Sequence, residues 1–286
     1  HIESSMMTPR NFAKAVIPHG TTTIIHDPHE IANVYGREGV VYMHDAAEGL
    51  PMRQLVDIPS CVPAVPGCEN AGAAFMAEDI EALAELPRAV GLAEVMDFYG
   101  VMYGEDRMME IIEAAGKKGL YLQGHAPAVT GRKLSAYLIG GPATCHETTA
   151  GDEALKKLRS GMYVDARESS ITKNVEAIWN GVKDIRTLCS DDRESDDLLH
   201  TGHLNAVVRK AVESGMGPVL AIKSATINTA REIGMEHLGA IAPGKAEYAN
   251  NMSELIVAVL TVISIVFAFV EFLRRTDDKD DKDGKK

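Results

Sequence analysis

The sequence predicts an α/β protein: a (β/α)8 TIM-type barrel with its first strand incomplete and a hydrophobic helix near the C-terminus. Three observations carry this. Short apolar runs alternate with amphipathic stretches, the pattern of a parallel sheet covered by helices. Each apolar run ends on polar residues capable of chemistry, as barrel strands do at the end from which functional side chains project. The chain also lacks GxGxxG and GxxxxGK[ST], the phosphate turns that an open doubly wound sheet normally places after its first strand.

The strands are expected, in order, at residues 21–27 (TTTIIHD), 57–64 (DIPSCVPA), 89–96 (AVGLAEVM), 119–125 (GLYLQGH), 143–147 (ATCHE), 163–167 (YVDAR) and 185–191 (IRTLCSD). Between them, residues 73–86, 106–118, 131–139, 152–160 and 172–180 carry apolar residues at helical spacing. Eight strands close a barrel, so one more is expected to end at His1, with its body upstream of this chain. The chain opens without an initiator Met, a basic n-region or an apolar h-region, so no signal peptide is read and a truncated start is expected.

A length of 286 residues at 45% hydrophobic and 24% charged supports one large core and excludes a disordered chain. The 29 basic and 41 acidic residues leave a net charge of −12, which repels phosphate backbones. No nucleic-acid partner is expected, and small neutral or cationic substrates fit better. Cys61, Cys68, Cys145 and Cys189 form no CxxC pair, which points to reduced thiols in a cytoplasmic compartment.

The hydrophobic stretch is residues 255–273, broken only by Thr261, Ser264 and Glu271. Its length is within the ~17–25 residues that span a bilayer core. Membrane insertion between Leu255 and Leu273, and with it a membrane-associated location, is therefore an expectation. The organisation read from sequence is a partial barrel over 1–247, a junction at 248–253, the hydrophobic helix at 254–275 and a solvated charged tail at 276–286. A homo-oligomer is compatible with this reading.

One His or carboxylate stands at each of several strand ends: His1, Glu94, His125, His146 and Asp191. Imidazole and carboxylate together suit a divalent metal such as zinc, manganese or iron. Other readings stay open residue by residue. His125 and His146, taken singly, are also loop histidines satisfied by backbone, and Glu94 also fits an ion pair with an arginine. His29 and Glu30 follow residues 21–27, the second barrel strand once the one ending at His1 is counted, and are assigned to substrate-side or metal-adjacent roles, although His-Glu after Asp-Pro also reads as a helix start. Asp191 and Asp192 are adjacent, so strand alternation predicts that only one of them reaches a metal.

The blocks HIESSMMTP, HGTTTIIHDPHEIANVYG, PSCVPAVP, GLAEVMDF, GHAP, CHETT, LCSDDR and GHLNAVVRKAV together resemble the adenine deaminases of the metal-dependent amidohydrolase superfamily. The likeness runs from His1 to about Gly244. It implies a metal-dependent hydrolase that converts adenine and water to hypoxanthine and ammonia in purine salvage, with a binuclear divalent centre of manganese or iron, zinc also being compatible. His1 then stands as the second histidine of an H-x-H pair and Glu94 as the bridging ligand. His125 and His146 hold the second metal, and Asp191 is ligand and proton shuttle, so that the reaction centre falls on Asp191 and Glu94. The chain departs from the resemblance at Cys145-His146-Glu147, where the family has DHE, at Ser190-Asp191-Asp192, where it has TDD, and at Arg167-Glu168-Ser169-Ser170, where it has an arginine-glutamate-glycine-serine run. The alternatives kept beside it are another cyclic amidohydrolase acting on a ring amide, and a non-catalytic membrane-tethered remnant.

Overall fold

The computed structural model describes residues 1–240. His1 opens a turn and is followed by α1 (Pro9–Val16). Thr8 caps α1 by accepting from the Asn11 amide, and Pro9 fills the first helical position, where its missing N–H costs nothing. Next come β1 (Thr23–His26), α2 (His29–Tyr35), α3 (Arg37–Asp45), β2 (Arg53–Ile58), α4 (Ala77–Leu83) and β3 (Ala89–Val95). The chain continues through α5 (Phe98–Tyr103), α6 (Asp106–Lys117), β4 (Tyr121–Gly124), α7 (Gly131–Ile139), β5 (Thr144–Cys145), α8 (Gly151–Arg159) and β6 (Tyr163–Arg167). The last described elements are α9 (Val175–Val182), β7 (Thr187–Cys189), α10 (Ser195–His200), α11 (Leu204–Glu213), α12 (Pro218–Ser224) and α13 (Ile227–Glu232).

All seven strands run parallel, in the orders β1-β2-β3-β4 and β5-β6-β7. Because β1 pairs Ile25 with Leu55 and the period is two, Ile25 and Leu55 share one face, where they pack with Val90, Ala230, Met235 and Leu238. Their neighbours Val56 and Ile58 face the opposite layer, with Leu92, Val95, Ile80, Ile111 and Leu134. Burying one such aliphatic side chain stabilises the fold by about 1.5–3 kcal/mol. A second helix-covered layer joins Val164, Ala166 and Leu188 to Ile178, Trp179, Val207 and Ala211. Here α8 and α9 touch backbone to backbone: a Cβ on Gly181 would lie 2.3 Å from the Gly151 Cα.

The sheet is the incompletely closed, partial barrel that the sequence predicts, and three details go beyond or correct that reading. First, the two ladders part between β4 and β5. β4 and β5 lie side by side, yet β5 is only two residues long, and the links recorded between the two segments are Ala143 N to Leu122 O (3.3 Å) and Gly124 N to the Thr144 side-chain oxygen (2.9 Å). No ladder joins β7 back to β1 among the described residues, and His1 lies directly before a turn, outside any of the seven strands. Second, the strand expected at 57–64 lies at Arg53–Ile58. Pro59 has no N–H to offer and ends the pairing, so the apolar residues beyond it form a loop. Third, α1, α3, α5 and α10 to α13 are helices beyond those the periodicity predicts. The hydrophobic segment at 255–273 lies outside the described residues; among those that are described, no helix is long and apolar enough to cross a membrane.

Candidate metal centre

Four strand ends deliver most of the site. Glu94, next to last in β3, is 5% exposed. His125 follows β4, and its amide donates to the Tyr137 hydroxyl (2.8 Å), which in turn donates to the Val95 carbonyl (2.9 Å). Buried Tyr137 on α7 thereby pins the ends of β3 and β4 together. His146 follows β5 and is anchored through Asn174, whose side-chain amide donates to the His146 and Thr148 carbonyls while its oxygen accepts from the Arg167 amide. Asp191 follows β7 with φ +52°, a left-handed conformation uncommon without glycine.

The carboxylate of Glu94 divides its two oxygens between two sets of imidazoles. Oε1 lies 3.2 Å from His1 Nε2, and Oε2 lies 2.6 Å from His125 Nδ1 and 3.1 Å from His146 Nε2. His1 also reaches Asp191 Oδ1 at 3.3 Å, with its other nitrogen, Nδ1, held 2.8 Å from the Asp27 carbonyl. A ring nitrogen turned to a backbone carbonyl fixes the ligand's orientation and is the usual support of a metal-binding histidine. Four overlapping sets offer donor atoms within 4.8 Å of one another: His1, Asp27, His29 and Glu94; Glu94, His125 and His146; His1, Asp191 and Asp192; and His146, Glu147 and Asp191. Asp27 Oδ1, Glu30 Oε2 and Asp192 Oδ1 are buried without a hydrogen-bond partner among the described residues. A site so rich in lone pairs fits a divalent cation.

Electrostatics agree. Burial opposes charge on Glu94, but the His146, His1 and His125 imidazoles hold its carboxyl well below the usual range. Burial likewise opposes a proton on His1 and His146, while Glu94 raises both. His29 is pushed up to about 12: burial opposes its charge, and the Asp27 carboxylate 2.8 Å away outweighs burial. A cation bound here displaces protons from the same imidazoles.

All the residues singled out from sequence converge. His1, Glu94, His125, His146 and Asp191 form the centre, and His29 stacks edge-on with His1 at 4.5 Å between ring centroids. Glu30 sits at the rim, with Oε2 3.7 Å from His1 Nδ1, and hydrogen-bonds Ser4. α2 does begin at His29, so the helix-start reading and the site reading hold together. The expectation that only one of Asp191 and Asp192 reaches the site is corrected: both lie in one donor set with His1, because β7 ends at Cys189 and alternation no longer governs the residues beyond it. Asp27, Glu147 and Arg167 were missed. Arg167, the last residue of β6, reaches Glu147 Oε1 at 2.5 Å and Oε2 at 3.1 Å and also bonds Asp191 Oδ2, so Asp191 turns one oxygen to Arg167 and the other to His1. The signal for Asp27 and Glu147 was their position beside His26 and His146; Arg167 offered none beyond ending its strand.

The amidohydrolase family model matches residues 1–247. The chain belongs to that family. As an amidohydrolase it is 45% identical over 248 residues to an adenine deaminase of Desulfatibacillum aliphaticivorans, covering 85% of this chain and 43% of that protein. It is 44% identical over 279 residues to adenine deaminase 3 of Rhizobium meliloti (94% and 46% covered), and 42% identical over 250 residues to an adenine deaminase of Thermosipho africanus (85% and 43%). This amidohydrolase thus spans less than half the length of those curated relatives. A solved structure of an uncharacterised protein shares the fold, with a TM-score of 0.51 at 16% identity, covering 91% of this chain and 78% of that one.

Proposed function

We propose that this chain carries the metal-binding barrel of an adenine deaminase, which converts adenine and water to hypoxanthine and ammonia. The observation that carries the reading is the division of Glu94 between two imidazole sets, the arrangement a carboxylate needs to bridge two cations. The relatives' names supply the substrate. His1, Glu94 and Asp191 would hold one divalent ion, and Glu94, His125 and His146 a second. Manganese and iron suit this mixed set, and zinc is also compatible.

When bound, such ions acidify water toward neutral pH and neutralise charge developing on the ring. The chain's own residues do the rest. Asp191, oriented by Arg167 and facing His1, takes the proton of the attacking water and returns it to the departing amine, first as general base and then as general acid. His29, beside His1, and Glu30, at the rim, are assigned to the purine side. Glu147, 21% exposed and held by both arms of the Arg167 fork, offers a fixed acceptor beside His146.

The test is turnover by the manganese-loaded protein of adenine beside a cyclic amide such as a dihydropyrimidine. Hypoxanthine and ammonia in equal amounts support the reading. Ring opening of the cyclic amide with adenine untouched replaces it with a cyclic amidohydrolase.

A further inference from the structure

We propose that His203 is a positioning residue for Asp191 and acts through Ser190; the inference rests on the role given to Asp191 above. His203, directly before α11, is 3% exposed, and a hydroxyl engages each of its ring nitrogens: Nδ1 lies 2.9 Å from Thr21 Oγ1 and Nε2 2.9 Å from Ser190 Oγ. Phe12 of α1 meets the ring edge-on, with centroids 5.5 Å apart and an interplanar angle of 86°.

The seat of this imidazole is built into the backbone. Gly202 has φ +106°, and a Cβ there would fall 2.4 Å from Asn205 Oδ1, the atom that accepts the His203 amide at 2.8 Å. Burial keeps the ring neutral, with its pKa pushed down to about 3. A neutral imidazole offers one donor and one acceptor, and two hydroxyls can complement either tautomer, so both ring nitrogens are satisfied and the ring has one orientation.

Ser190 is the single residue between the end of β7 and Asp191. Asp191 holds a left-handed φ, which a non-glycine residue keeps only where its surroundings determine it. Arg167 fixes the Asp191 carboxylate from the β6 side, and His203 fixes the peptide that delivers it. This places the GHLNAVVRKAV block, which supplies no ligand itself, behind the placement of one.

A merely structural His203 ties Thr21 to Ser190 and adds stability alone. Two isosteric arms separate these roles. In His203→Gln the amide reaches the Nε2 position and keeps the Ser190 bond; in His203→Asn it reaches only the Nδ1 position and keeps the Thr21 bond. The full chain is loaded with Co²⁺, and its visible absorption, cobalt affinity and melting temperature are measured. Residues that orient a ligand typically change metal affinity 10- to 100-fold, so His203→Asn and Ser190→Ala are each expected to weaken cobalt binding about tenfold and to alter the spectrum, with His203→Gln within about twofold of the parent. Because the two act in series, the double variant is no weaker than either single. Parental spectrum and affinity in His203→Asn overturn the inference, whatever the melting temperature does. So do losses that multiply in the double variant. A cobalt-loaded parent without adenine turnover removes the deaminase reading and leaves the cobalt comparison standing.

Discussion

Lys157 Nζ, on a residue with 0% exposure in α8, lies 2.6 Å from the carbonyl oxygen of Ala126. The same ammonium reaches Cys145 Sγ at 3.1 Å, Thr148 Oγ1 at 3.0 Å and Glu153 Oε1 at 2.6 Å. Ala126 follows His125 and Cys145 precedes His146, so one buried cation braces both ligand-bearing loops. Removing one partner of a buried ion pair costs about 3–5 kcal/mol, because the other charge is left uncompensated. Lys157→Ala should therefore lower stability by that order in urea denaturation. Combining Lys157→Met with Glu153→Leu should recover part of the loss, since no charge is then stranded.

His125→Ala and His146→Ala should each lose bound metal in elemental analysis of the purified protein. The warrant is their shared contact with Glu94 Oε2. Unchanged metal content in both variants would remove them as ligands.

Asp191→Asn should retain most of the metal and lose about 10²- to 10⁴-fold in turnover, the range that general acid–base catalysis supplies. An amide oxygen still coordinates weakly but carries no proton. Asp192→Asn should be mild by comparison, since Arg167 reaches Asp191. If the order of severity is reversed, the proton shuttle is Asp192.

The inner face near α13 holds acids of its own. Burial first, then the neighbouring Asp165 carboxylate, raises Glu232 well above the ordinary carboxyl range; Tyr121 donates to its Oε1 at 3.1 Å. A folded-state pKa above the unfolded value means that the native state binds the extra proton. Stability from this group is then full below the unfolded pKa of about 4.3 and falls as pH rises toward the folded value, by about 1.4 kcal/mol per unit within that window. Glu232→Gln, neutral at every pH, should melt above the parent at pH 8 and close to it at pH 4. A difference independent of pH would show that Glu232 is not protonated in the fold.

Much of this was legible in the sequence, for a physical reason. A buried parallel strand such as Ala89–Val95 is a run of apolar and small residues with a polar residue at its end, so both the strand and the residue it presents can be read together. Glu94, His125, His146 and Asp191 all came from that one rule. The rule failed at residues 57–64, where proline spoils a run whose composition still looks like a strand. Helical periodicity likewise failed at α10 and α13, each of six residues and too short to show a period. The contacts of Arg167 and His203 were invisible in the sequence, because Asp191 lies 24 residues from Arg167 and Ser190 and Thr21 lie 13 and 182 residues from His203. The lapse between β4 and β5 depends on where one threonine hydroxyl finds its donor, which no periodicity records.

That lapse is where the candidate ligands straddle. Glu94 and His125 belong to the four-stranded ladder, His146 and Asp191 to the three-stranded one, and Glu94 meets His146 across it at 3.1 Å. An ion shared by these groups works as a clasp between two half-molecules whose main chains scarcely engage there. Its binding free energy then becomes cohesion, about 2.7 kcal/mol when the free ion stands at about 100 times its dissociation constant. Chelation is therefore expected to lower the melting temperature, by loosening the seam between the two ladders as well as emptying the site.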